Sequence, residues 1–513
     1  MSSFRSRTRA AFLRTVTAAA VASSLVLGSA SLHLAAAAPG ARSGAPSAPT
    51  GITHAGRWIT DRDGRALITS GVNMVAKHSP YAPDALGFGD DDAQFLEDNG
   101  FDSVRLGIVW KAIEPNPGVY DDAYLARIKN TVGVLASHGI TTLIDMHQDL
   151  ANEKFQGEWE PDWAVLDDGL PVVPKLGFPY NQFATPALLV NYDNFLANKA
   201  GPGGVGVQDR FAAAWAHTAG FFRGTAGVMG YDLLNEPWPG SSYPLCLVGD
   251  CAAANAELTA MHHRLARAIR AQDPATMVLY EPFSLSNSGV QPNPGTTGDP
   301  NEALSFHDYC TFAAISGGSG SASDDVCGPF DDSVFANAQA HSSATGAGLL
   351  LTEFGSTDDE KTLIAALDRA AKNMVGWQYW AYCGCDDPTT QDQAGQAIVL
   401  DPAKPPTGDN VRWSKVRTLA VPHPRLVSGT PLSYGFDRAN STLRVEYSTS
   451  RADGHGRFGA GAVTSIAMPK LEYPFGYTVT VTGGSVSSAP NAPVLQVRSA
   501  SGADRVTVLA TPA

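Results

Sequence analysis

Charge runs and basic clusters are scarce in this chain of 513 residues. Charged residues make up 17% of it, and 36 Lys and Arg stand against 50 Asp and Glu, a formal balance of −14. An acidic chain is repelled by phosphate backbones and anionic headgroups, so nucleic acid and an anionic membrane are excluded as electrostatic partners. A neutral or amphipathic ligand is not excluded. Beyond the N-terminus no segment is apolar enough to cross a bilayer. No glycine-rich phosphate turn follows the first candidate strand, and no internal repeat is visible. The cysteines lack the paired spacing and neighbouring histidines of a zinc site. No motif points to a metal, nucleotide or flavin cofactor.

Six cysteines are few for this length, yet they suit an oxidising compartment. Cys246 and Cys251 share a loop, and Cys310 and Cys327 bracket a Gly/Ser-rich excursion, so both pairs can close locally. Cys383 and Cys385 flank one glycine. A bridge across a single residue is strained, and this pair is expected to bind elsewhere or stay reduced. The N-terminus carries Arg5, Arg7, Arg9 and Arg14 ahead of the apolar run TVTAAAVASSLVLG and the small-residue stretch LAAAAPGA. That pattern predicts a signal peptide over residues 1–38, a flexible leader over 39–50, and a secreted chain.

What the chain does have is an alternation of apolar strands and amphipathic helices. Eight strands are predicted, at 66–74, 102–108, 141–147, 227–236, 276–282, 303–309, 348–355 and 374–382. Their apolar residues run on without alternating, as in strands covered on both faces. Eight β-then-α units predict an α/β (β/α)8 TIM barrel over 51–420, favoured over an open doubly wound sheet. An insertion at 149–205 is rich in aromatics, among them Phe155, Trp159, Trp163, Phe178, Tyr180, Phe183, Tyr192 and Phe195. From 427 to 513 the pattern turns to alternating strands, which predicts a C-terminal antiparallel β-sandwich without a catalytic constellation.

Catalytic groups of such a barrel gather at the C-terminal ends of its strands. The third strand ends in Asp145 and His147, with Asp149 following; the fourth ends in Asn235 and Glu236, after which Pro237 stops the strand. Glu281 ends the fifth and reads as a decoy, because no amide precedes it. His307 and Tyr309 end the sixth, Glu353 the seventh, and Trp377 and Trp380 lie on the eighth. Glu236 and Glu353 face each other across the barrel mouth. Retaining hydrolysis of a glycoside uses such a pair, about 5–5.5 Å apart, one carboxylate as nucleophile and the other as acid/base. A Tyr309 hydroxyl can orient the nucleophile, the Asn235 amide can hold a sugar 2-hydroxyl, and Trp380 can stack under a ring. Taken singly, each residue also has a plain reading as rim, core packing or satisfied histidine. The pair in a chain with eight countable strands is harder to dismiss.

LLNEP with the later LLTEFG resembles family five of the clan A glycoside hydrolases. Within it, DMHQD, GVNMVAKHSPY and VPHPRLVSGTP are similar to the endoglycoceramidases and endogalactosylceramidases, over roughly 50–500. The resemblance implies a secreted barrel with a C-terminal sandwich that cleaves the oligosaccharide–ceramide bond of glycosphingolipids with retention. It implies Glu236 as acid/base, Glu353 as nucleophile and Tyr309 as its orienting partner. Lys77, His147, Asp149, Asn235 and Trp380 would hold the first sugar, with His307 ranked below them and Trp377 the alternative to Trp380. A ceramide leaving group would lie against the aromatic insertion and bring transient contact with a lipid micelle or membrane surface; the alternative is a loop packing its own aromatics. Two other functions remain open: a glucosylceramidase or glucan-type β-glycosidase with a non-ceramide aglycone, and an inactive glycolipid-binding protein.

Overall fold

Two short antiparallel strands, β1 (Thr53–Ala55) and β2 (Trp58–Thr60), precede β3 (Ala66–Leu67) and the barrel proper. The structure, a computed structural model, describes residues 48–309, 324–390 and 392–513. The predicted signal peptide, most of the leader, and Cys310 with its proposed bond to Cys327 lie outside the described residues.

The eight predicted strands close into one parallel barrel. They are β4 (Ser70–Met74), β5 (Ser103–Ile108), β6 (Thr141–Met146), β7 (Val228–Asp232), β8 (Met277–Tyr280), β9 (Glu302–Asp308), β10 (Gly348–Phe354) and β11 (Trp377–Tyr379). Closure is made by Trp377 to Tyr379 pairing with Ser70 to Val72. Strands such as SVRLGI and TTLIDM are buried along their whole length, which is why they read as continuous runs. Helices on the outside are set by local caps: the Asp121 carboxylate accepts the N–H groups of Ala123 and Tyr124, and Asp359 accepts that of Lys361.

The expected first strand over 66–74 is two strands. Ala66 and Leu67 leave the barrel and pair with Val427 and Leu426 of β12 (His423–Val427). Ser70 to Met74 alone enter the barrel. The reason lies in what Leu67 covers: with Ile52 and Ile59 it packs on Leu143, Met229, Met277, Leu279, Ala303 and Leu350 at the foot of the barrel strands. An apolar barrel floor needs such a cover, and residues 52–67 supply it.

The remaining strands are β13 (Thr430–Asp437), β14 (Thr442–Ser448), β15 (Val463–Ala467), β16 (Tyr477–Thr482), β17 (Gly484–Val486), β18 (Val494–Ser499) and β19 (Arg505–Pro512). They form two sheets, in the orders β1-β2-β3-β12-β15-β18-β17 and β13-β14-β19-β16. Val445, Tyr447, Val497, Val506 and Val508 fill the space between them. The sandwich therefore starts at His423 and draws in the N-terminal strands. It is tied to the barrel by Asp102, whose oxygens accept the Ser70 N–H at 2.8 Å and Arg425 Nε at 2.9 Å. Burial alone would raise that carboxyl, but Arg425 and His423 bring it below its ordinary range.

Cys246 is joined to Cys251, as expected. Cys383 is joined to Cys385, contrary to expectation. The two Cα atoms stand 5.2 Å apart, an ordinary disulfide span.

Candidate active site

Arg105 lies in the middle of the apolar strand β5 and is fully buried. Its guanidinium reaches Asp232 Oδ2 (3.1 Å), Asn73 Oδ1 (3.2 Å), Glu353 Oε1 (2.5 Å), Asp145 Oδ1 (2.8 Å), Asn235 Oδ1 (3.0 Å) and Glu281 Oε1 (2.8 Å). These partners come from β4, β6, β7, β10 and the segments just past β7 and β8. Desolvation works against the charge, yet the carboxylates of Asp145, Asp232, Glu353 and Glu281 more than restore it.

Glu353 sits in a register irregularity of β10, between Leu351 and Glu353, that re-aims its side chain. Arg105 holds one oxygen, and the Tyr309 hydroxyl donates to the other at 2.9 Å. Burial raises the Glu353 carboxyl above its ordinary range, with His307 and Arg105 opposing and Glu236 adding to the rise. Glu236 lies four residues past the end of β7, with φ 43°. Its Oε1 accepts from Asn287 Nδ2 at 2.6 Å and stands 2.9 Å from His307 Nδ1. One oxygen of Glu236, one of Glu353 and a ring nitrogen of His307 all lie within 4.8 Å of one another. The paired glutamates expected across the barrel mouth are thus brought together, with Tyr309 bonded to Glu353 and His307 between the two carboxylates. Asn235 joins this group through Arg105, and its Nδ2 donates to the Gln148 carbonyl at 2.9 Å.

Lys77, His147, Asp149 and Trp380 form a second, contiguous cluster. His147 stacks on Trp380, with ring centroids 5.1 Å apart and planes 15° apart, and Lys77 Nζ lies 4.7 Å from the Trp380 ring centre. His147 Nδ1 is 2.8 Å from Asp145 Oδ2. Burial opposes protonation of His147, but Asp145 and Asp149 push its pKa up to about 10. Lys77 is bonded to Asp149 Oδ2 (2.5 Å) and Thr389 Oγ1 (2.6 Å), with Asp387 Oδ1 at 3.1 Å. Trp377, the alternative platform, is instead a core residue against Phe101 and Phe354.

Several residues of the site were not expected. Arg105 could have been found, because a charged side chain inside a strand buried on both faces demands partners. Glu281, taken as a decoy, accepts the Glu236 backbone N–H at 2.8 Å; burial, with Asp232 adding, pushes its carboxyl up to about 8. Asn287 lies in the short helix Ser284–Ser288, Gln396 ends the short helix Gln393–Gln396, and Asp387 and Thr389 lie in a loop; none carries a local signal. Gln396 Oε1 accepts the Trp380 indole N–H at 3.1 Å, and its Nε2 donates to Asp387 at 3.1 Å.

Of the two readings of the aromatic insertion, its buried aromatics follow that of a loop packing its own side chains. Phe155, Trp159, Tyr192 and Phe195 are buried, and Trp159 packs on Trp110, Phe195 and Phe211. They fix the insertion to the barrel. Gly157 shows how tight that fit is, since a Cβ there would lie 1.7 Å from the Asp149 carbonyl oxygen. Apolar side chains that do face solvent are Leu170, Val173, Leu176 and Tyr180 in the insertion and Leu245, Leu247 and Val248 in the next loop. Phe183 and Tyr243 join these two loops edge to face, at 5.4 Å.

A model of the cellulases of glycosyl hydrolase family 5 matches residues 61–386, and one of the glycoside hydrolase family 5 C-terminal domain matches 422–508. Endoglycoceramidase I of Rhodococcus hoagii (strain 103S) is 32% identical over 472 residues, 90% of this chain and 89% of that one. An endoglycoceramidase of Cyanea nozakii is 28% identical over 466 residues, 82% and 85% of the two chains. Endo-glycoceramidase II from Rhodococcus sp. in complex with ganglioside GM3 has the same fold, with a TM-score of 0.70, 26% identity, and coverage of 89% of this chain and 99% of that one.

Proposed function

The chain belongs to glycosyl hydrolase family 5, and from that premise we propose that it is a secreted, retaining endo-β-glycosidase cleaving the glycan–ceramide bond of glycosphingolipids. One observation supports the chemistry: an oxygen of Glu236 and one of Glu353 lie within 4.8 Å of each other, as suits a retaining pair.

In the first step Glu353 attacks the anomeric carbon while the bond to the ceramide oxygen breaks. Glu236 gives its proton to that oxygen, so ceramide leaves as a neutral alcohol. In the second step water attacks the same carbon, Glu236 takes its proton, and Glu353 departs as a carboxylate. Arg105 and Tyr309 stabilise the carboxylate that departs. His147 and Lys77 against the Trp380 ring, with Asp149, form the polar wall for the first sugar, and Asn235, next to Glu236 in the chain, is the amide for its 2-hydroxyl. The exposed apolar residues at 170–180 and 245–248 suit the ceramide chains and a passing micelle surface better than the buried aromatics do. At about 0.8 kcal/mol per buried CH₂, even partial contact with two alkyl chains adds appreciable affinity. Relatives named endoglycoceramidase support the lipid aglycone. The two disulfides closed among the described residues suit export.

The test is a panel of gangliosides, glucosylceramide, galactosylceramide and cellooligosaccharides, with products identified by mass. Free ceramide with an intact oligosaccharide is expected. Cleavage of the glucan alone would keep the two glutamates and discard the lipid.

A further inference from the structure

Glu281 takes no part in the two steps above, yet it is buried among donors. Its Oε2 accepts the Glu236 backbone N–H at 2.8 Å, and its Oε1 accepts from Arg105 Nη2 at 2.8 Å and Ser305 Oγ at 3.4 Å. Gln148 works on the other side of the same residue. Its Nε2 donates to the Glu236 carbonyl at 2.8 Å and to the Asn235 carbonyl at 3.0 Å. Gln148 is fixed in turn, its Oε1 accepting from the Tyr192 hydroxyl at 3.1 Å and from Ala151 N–H at 3.3 Å.

Between these two holds Glu236 has φ 43°, in the left-handed region that a residue with a Cβ adopts only at a cost. The following Pro237 disfavours helical conformations in the residue before it. Chain-local forces therefore do not explain the backbone of Glu236. A side-chain acceptor on its N–H and a side-chain donor on its C=O do.

We propose that Glu281 and Gln148 are positioning residues for the general acid. They form a clamp, one member on each peptide group of Glu236, that keeps its carboxyl turned toward Glu353 and the leaving oxygen. The inference rests on Glu236 being the acid/base. It also gives the aromatic insertion a catalytic consequence, because Tyr192 reaches Glu236 through Gln148.

Leaving-group dependence separates this role from a structural one. A ceramide oxygen must be protonated to depart, whereas a dinitrophenolate leaves unaided. Full-length Glu281→Gln and Gln148→Met are each assayed on a glycosphingolipid and on a dinitrophenyl glycoside of the same glycan, with thermal unfolding measured alongside. We expect kcat/KM on the lipid to fall about tenfold or more, part of the 10²–10⁴-fold that a general acid contributes, and that on the aryl glycoside to change less than about threefold. Gln148→Met places no donor against Arg105, so it decides the matter if Glu281→Gln does not fold. Glu236→Gln is the control. If it shows no selectivity between the substrates, the acid assignment itself is wrong and the clamp falls with it. If Glu236→Gln is selective while the folded clamp variants lose both activities equally, or neither, the clamp alone is overturned.

Discussion

The Tyr309 hydroxyl donates to Glu353 Oε2 at 2.9 Å, the oxygen that Arg105 leaves free. A hydrogen bond to an ionised group contributes about 1.5–3 kcal/mol, so Tyr309→Phe should lower kcat/KM by about 10–150-fold. Its sign on pH follows. Burial already raises the Glu353 carboxyl, and losing a donor to the carboxylate raises it further. The acid limb of the kcat/KM profile should therefore move to higher pH, and an unmoved limb would count against Glu353 as nucleophile.

Arg105 is the second test. Removing it leaves the carboxyls of Asp145, Asp232, Glu281 and Glu353 buried without their shared cation. Breaking a buried pair costs about 3–5 kcal/mol, and Arg105→Met should lose at least that in denaturant unfolding. Arg105→Lys, which keeps the charge but not the fork, should fold better and remain impaired in turnover.

Two tryptophans of one strand region should part company. Trp377 lies in the barrel-to-helix core, and Trp377→Ala should destabilise by about 3–5 kcal/mol. Trp380 stacks on His147 and donates its indole N–H to Gln396, so Trp380→Phe should cost about 1–3 kcal/mol, less than Trp377→Ala, and raise KM. An unchanged KM would remove Trp380 from the sugar site.

His147 gives a pH signature in stability. Its pKa is pushed up to about 10 in the fold, above the ordinary histidine value of about 6.5. The protonated ring thus contributes fully below about 6.5, and that contribution fades as pH rises through about 10. The difference in unfolding free energy between the wild type and His147→Gln should shrink over that window. A difference independent of pH would show that the ring is neutral in the fold.

Much of this arrangement is legible in the chain, and the exceptions share a cause. Strand ends are local features, so Asn235-Glu236, Glu353 and His307 with Tyr309 can be found by their place after apolar runs. What stands around them comes from across the barrel. Glu281 looks dispensable beside its own neighbours and acquires its role only when β8 lies next to β7. Gln396 ends a four-residue helix, and no periodicity records the path that brings it to Trp380 and Asp387. Leu67 reads as barrel strand because it is apolar, and only the uncovered barrel floor explains why it leaves. The aromatics of the insertion leave two readings open for the opposite reason, since composition alone does not tell a wall from a filling.

The most direct test of the paired-glutamate account is the stereochemistry of the first product. Proton NMR of the anomeric region, followed from the start of hydrolysis of a glycosphingolipid, should show the released oligosaccharide appearing as the β anomer before it mutarotates. An α anomer appearing first would mean inversion, and would contradict Glu353 as nucleophile and Glu236 as its acid/base partner.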